Sequence, residues 1–173
     1  MGLLDDGLVG RLRAGAGSTV EEVSSWAWRA PVATAVSRWR VEFVSPVTFR
    51  RGNRLLPWPS PSAVLGGLRA VWRVFGAPVV GDVELDLADE PVVVSAVEGA
   101  SEVERFVLHE RRDAVGGLVP VWVTAGGFRG RVTYVVDAPV GAGAVAALFE
   151  LARYAGVGAH TTRGFGGVRV VPG

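Results

Sequence analysis

Residues 153–169, RYAGVGAHTTRGFGGVR, gather more potential chemistry than any other part of the chain. Five glycines, at 156, 158, 164, 166 and 167, frame His160, Thr161, Thr162 and Arg163. Glycine admits positive φ and lets a second backbone approach closely. Adjacent hydroxyls, an imidazole and a guanidinium beside exposed N–H groups suit a phosphodiester backbone. The competing reading is a tight helix-to-strand turn, although five glycines are more than a turn needs. The expected anion-binding set is therefore Gly158, His160, Thr161, Thr162, Arg163, Gly164 and Gly166.

A second set lies in residues 45–60, SPVTFRRGNRLLPWPS, where Arg50, Arg51 and Arg54 cluster around Gly52 with Phe49 and Trp58 nearby. Basic residues interleaved with aromatics suit RNA, whose phosphates need charge and whose unstacked bases need a flat partner. Phe49 and Trp58 read as packing residues, because aromatics more often fill a core than greet a ligand. A third set follows from strict alternation over 103–112, which puts Arg105, His109 and Arg111 on one strand face. An imidazole between guanidinium groups is pushed toward its neutral form, and neutral imidazole can act as a general base. A mixed-charge exposed hairpin is the alternative, since Glu104, Glu110 and Asp113 could cancel the arginines.

Much chemistry is excluded. The chain has no cysteine, which removes disulfides, Cys-ligated zinc, iron–sulfur clusters and thiol nucleophiles. Its two histidines make neither a metal cluster nor a convincing triad, and no Gly-x-Ser-x-Gly elbow is present. All 18 basic residues are arginine, so a Walker-type loop is impossible without its lysine. GVGAHT lacks the third glycine of the dinucleotide fingerprint and follows a helix instead of a strand. No cofactor and no metal are expected. Net charge is only +1, which gives no whole-molecule nucleic-acid signature. Charges or glycines interrupt every apolar stretch, so no membrane span is expected, and the acidic start suggests a cytoplasmic address.

The elements that would position these groups begin at Arg38. Residues 1–37 read as a short preface, with a weak helix over 3–13, and 38–173 as the main unit. Residues 38–44 alternate as a half-buried strand. A long Pro-, Gly- and Arg-rich loop follows, then a helix over 62–75 with Val64, Leu65, Leu68, Val71, Trp72 and Phe75 in one stripe. Strands are expected at 91–97 and 103–112 with a turn near Gly99, at 118–124 and at 127–136. In a variant of this reading, 103–112 and 118–124 form an inserted hairpin. A second helix over 141–155, with Val145, Leu148, Phe149 and Ala152 inward, leads to a last strand at 165–171. The order β-α-β-β-α-β predicts an α+β, ferredoxin-like (RRM-like) domain: an antiparallel sheet, two helices on one face, and an open face free for a ligand.

With these elements placed, two segments resemble the CRISPR-associated endoribonucleases of the RAMP superfamily, which cut precursor CRISPR RNA within its repeats. The first reads Ser45-Pro46-Val47-Thr48-Phe49, then Pro57-Trp58-Pro59 and a helix through Trp72. The second reads Tyr154-Ala155-Gly156-Val157-Gly158, then Thr161-Thr162 and Gly164-Phe165-Gly166. The resemblance implies tandem ferredoxin-like domains, repeat RNA as the partner, and metal-independent attack of a ribose 2′-OH on the adjacent phosphate. Residues 1–37 are too short for the family's first domain, which often carries its catalytic histidine, and match at most that domain's last helix and strand. No catalytic residue therefore transfers; His160 and His109 stand only as candidate bases. Other CRISPR effector subunits or a homodimer partner are also implied. Cleavage, RNA holding without cleavage, and a ferredoxin-like oligomerisation scaffold remain the three functional expectations.

Overall fold

A computed structural model describes residues 27–32, 34–88, 91–136 and 141–173. The expected helix at 3–13 lies outside them.

Alternation makes β1 (Arg38–Val47) the central strand: Trp39, Val41 and Phe43 are buried, while Arg38 and Arg40 face out. It lies between β5 (Leu118–Val136) and β6 (Val168–Pro172), and β4 (Val92–Arg112) adds to the far side of β5. The order β4-β5-β1-β6, antiparallel throughout, is that of a ferredoxin-like sheet. On one face lie α1 (Pro61–Phe75) and α3 (Ala142–Ala155). The Ser60 hydroxyl caps α1 by accepting from Ala63 N at 3.3 Å, with Pro61 in the first turn. Val64, Leu65, Leu68 and Trp72 of α1 meet Val145, Leu148, Phe149 and Ala152 of α3 over the sheet. Phe149 stands 5.5 Å from Trp39 and 5.4 Å from Tyr134, ring centre to ring centre.

Four expectations are corrected. Phe75 is 61% exposed and not part of the core stripe. Trp28 packs on Gly76 and edge-on to Trp72 at 5.2 Å, and so closes the end of the helix layer. The loop after β1 contains a small hairpin, β2 (Phe49–Arg51) and β3 (Arg54–Leu56), whose three-residue strands are too short to show a period. The last strand starts at Val168, and Phe165 is buried within the preceding loop.

The fourth correction is the largest. Gly99 makes no turn. β4 and β5 each run unbroken, 21 and 19 residues long, and pair from Val92↔Val136 to Arg112↔Leu118. Gly99 faces Gly130 in the ladder, with φ +153° and +147°, and a Cβ on either would strike the opposite backbone. These glycines permit a close approach of strands, which looks in sequence like punctuation. The real turn is at 113–117, where Asp113 accepts from Val115 N and Gly117 N at 3.0 and 2.7 Å. The inserted hairpin is thus the outer half of the two core strands. A short α2 (Ala77–Val80) follows α1.

Candidate nucleic-acid interface

The two sequence segments, more than a hundred residues apart, form one structural unit. Ala159 N donates to Thr48 O at 2.7 Å, Gly166 N to Pro46 O at 2.8 Å, and Gly167 N to Ser45 Oγ at 2.8 Å. Val44 N returns a bond to Gly167 O at 2.9 Å. The glycine-rich loop is therefore stitched along the end of β1. This stitching explains several of its glycines: a Cβ at Gly158 would strike the Thr48 carbonyl, and one at Gly166 the Val157 carbonyl, both at positive φ. At those positions glycine is required by the loop's own packing. Gly164 differs, since its φ is +84° but the space around it is open.

Within the loop, Thr161, Thr162 and Arg163 form a single 3-10 turn. Thr161 packs its methyl against Gly156, whereas Thr162 is exposed. His160 adopts the left-handed conformation, φ 63°, unusual for a residue with a side chain. Its ring lies 5.0 Å from Phe106 and 6.1 Å from Phe165, and its Nε2 is buried without a hydrogen-bond partner among the described residues. Burial, then the nearby Arg163 and Arg50 guanidinium groups, hold its pKa below the usual histidine value. The imidazole is thus kept neutral but enclosed. Arg163 is tied to the β4–β5 arm: its Nε and Nη2 donate to Leu108 O at 3.1 and 2.8 Å.

Arg105, His109 and Arg111 do not share a face. The ladder slips between Val107 and His109, so that Val107 opposes Trp122 and His109 opposes Val121. This bulge at Leu108 turns His109 and Arg111 to the face of Phe106, opposite Arg105. Arg105 instead lies over the Trp122 ring, 4.7 Å from its centre. Strict alternation had no means of registering one inserted residue.

Arg50 and Arg51 are exposed and make no ion pair among the described residues. They line a groove of ≈ 750 Å³ together with Trp58, Ser60, Gly158 and Ala159. Arg54 sits opposite Arg51 across the small hairpin. Residues 43–81 contain five arginines and no acidic residue, so the local charge is strongly positive although the whole chain is near neutral. That local imbalance is the sequence signal for this groove. Of the two aromatics read as packing residues, Phe49 is buried, but Trp58 is 50% exposed. The open sheet face is occupied by an ion-pair ladder: Glu42 lies 3.9 Å from Arg131 and 3.5 Å from Arg169, and Glu98 3.7 Å from Arg131.

Sheet order and helix placement define the class: a ferredoxin-like α+β protein with a basic groove beside a loop fastened to its first strand. The family model of the CRISPR-associated endoribonuclease Cas6 matches residues 41–168, and the chain belongs to that family. CRISPR-associated endoribonucleases Cas6 from two Mycobacterium tuberculosis strains are each 28% identical over 137 residues, covering 78% of this chain and 39% of theirs. The chain therefore spans well under half the length of these curated relatives. A Cas6 solved as a product complex is 28% identical with a TM-score of 0.57, covering 78% of this chain and 51% of that one. A Cas6 substrate mimic complex gives 28%, 0.58, 78% and 53% for the same quantities. Thermus thermophilus Cas6, at 22% identity and TM-score 0.56, covers 80% of this chain and 55% of its own, and supports the fold.

Proposed function

We propose that this chain holds CRISPR repeat RNA for metal-independent cleavage of the precursor, with the RNA backbone lying in the groove between the β2–β3 hairpin and the glycine-rich loop. The observation that carries this reading is the meeting of Arg50 and Arg51, without an ion pair among the described residues, with Gly158 and Ala159 along one groove. Guanidinium groups there neutralise phosphates, and the Ser60 and Ser62 side chains add hydroxyls to the same groove. Cleavage by a 2′-OH needs a base, an acid for the departing 5′-oxygen, and a cation near the developing charge. Arginines beside the groove supply the cation. The two candidate bases differ in access: His109 is exposed on the arm, whereas His160 keeps its Nε2 enclosed by the loop and Phe106.

That enclosure favours a second reading, in which the chain binds repeat RNA without cutting it. Incubation with repeat RNA in EDTA separates the two. Cleavage predicts a product ending in a 2′,3′-cyclic phosphate; a stable complex with intact RNA supports holding alone. No complex at all would contradict both.

A further inference from the structure

We propose that Trp58 is a base-stacking platform whose exposed indole receives one unpaired nucleobase, with the neighbouring phosphates directed toward Arg50 and Arg51. This rests on the RNA-holding reading and assigns a subsite within it.

A half-exposed tryptophan contributes little to the core, and Trp58 meets only the edge of it, 6.5 Å from Phe128 at an interplanar angle of 76°. Its backbone is nevertheless firmly held. Pro57 precedes it and Pro59 follows it; the following proline restricts Trp58 itself to extended conformations. The Tyr134 hydroxyl, buried under the sheet, donates to the Pro59 carbonyl at 2.7 Å. Ser60 N donates to the Trp58 carbonyl at 3.0 Å. A large ring kept outside the core on a segment anchored to the core is preorganised, so little ordering remains to oppose binding.

The surroundings select the ligand. The indole forms a wall of the groove that Arg50, Arg51 and Gly158 also line, and among the described residues no carboxylate lines that groove. Positive charge beside a flat apolar surface matches a single-stranded nucleotide: phosphate for the arginines, base for the ring. Paired bases within a duplex are already stacked, so the ring suits an unpaired position. Trp58 also borders a smaller groove of ≈ 310 Å³ with Leu87, Pro91 and Val92, which a peptide could fill instead.

The test measures affinity of the full chain for repeat RNA, intact or with an abasic ribose at each position in turn. The unaltered chain should lose about 5- to 150-fold in affinity at one unpaired position when its base is missing. Trp58→Ala should lose a similar factor with intact RNA and become insensitive to the abasic change at that same position, while Trp58→Phe keeps most of the affinity. If Trp58→Ala binds intact RNA as tightly as the unaltered chain, the platform is refuted while RNA holding stands. A loss in Trp58→Ala that leaves every abasic penalty in place also refutes it, and points to the smaller groove. Failure of the unaltered chain to bind RNA removes both readings.

Discussion

Tyr134, at the centre of the sheet, donates its hydroxyl to the carbonyl of Pro59 over 2.7 Å, and so ties the loop that carries Trp58 to the core. Burial alone pushes the phenol far above its usual pKa, so it remains a donor at any physiological pH. Tyr134→Phe leaves a buried carbonyl without its partner, and urea denaturation should show a loss of about 1–3 kcal/mol. RNA affinity should fall as well, with its salt dependence unchanged, because no phosphate contact is removed. Unchanged stability and affinity would show that the anchor is idle.

Glycines in the recognition loop should separate by their surroundings. Gly164→Ala meets open space at φ +84° and should cost about 1–2 kcal/mol from the left-handed backbone alone. Gly166→Ala adds a clash with the Val157 carbonyl and should cost clearly more, enough to detach the loop from Pro46. Thermal melts of the two variants make the comparison. Equal losses would mean that the stitching of this loop to β1 contributes nothing.

How far the sequence foretold this arrangement depends on the element. Wherever burial is one-sided, period carried the information: Trp39, Val41 and Phe43, and Val145, Leu148 and Phe149, are all inside as their spacing requires. Period failed where a single backbone detail intervened. The bulge at Leu108 separated Arg105 from His109, and the Gly99–Gly130 approach passed for a turn. The glycine-rich loop was visible as a motif, but its attachment to Ser45, Pro46 and Thr48 is a long-range contact that local pattern does not encode. Residue type alone points Trp58 inward, because tryptophan usually packs; the prolines on both sides hold it in a stiff extended segment that residue type does not register.

His160 should make stability depend on pH. Its folded pKa is depressed by burial and by Arg163 and Arg50, so the unfolded chain takes up a proton first as pH falls. The stabilising contribution is complete above the ordinary histidine value of about 6.5 and is lost progressively below it. The unfolding midpoint should therefore drop as pH falls below about 6.5. In His160→Asn, whose side chain does not titrate and tolerates the left-handed backbone, that part of the slope should vanish. An identical pH profile in both proteins would place the dependence elsewhere.

The groove itself is tested most directly by the salt dependence of RNA affinity in the unaltered chain and in the triple variant Arg50→Ala, Arg51→Ala, Arg54→Ala. Each phosphate neutralised on a single strand contributes about 0.7 to the slope of log affinity against log salt. Binding should be weaker in the variant and the slope shallower by about 2, one contact per arginine. An unchanged slope and affinity, in a variant that melts like the parent, would contradict it.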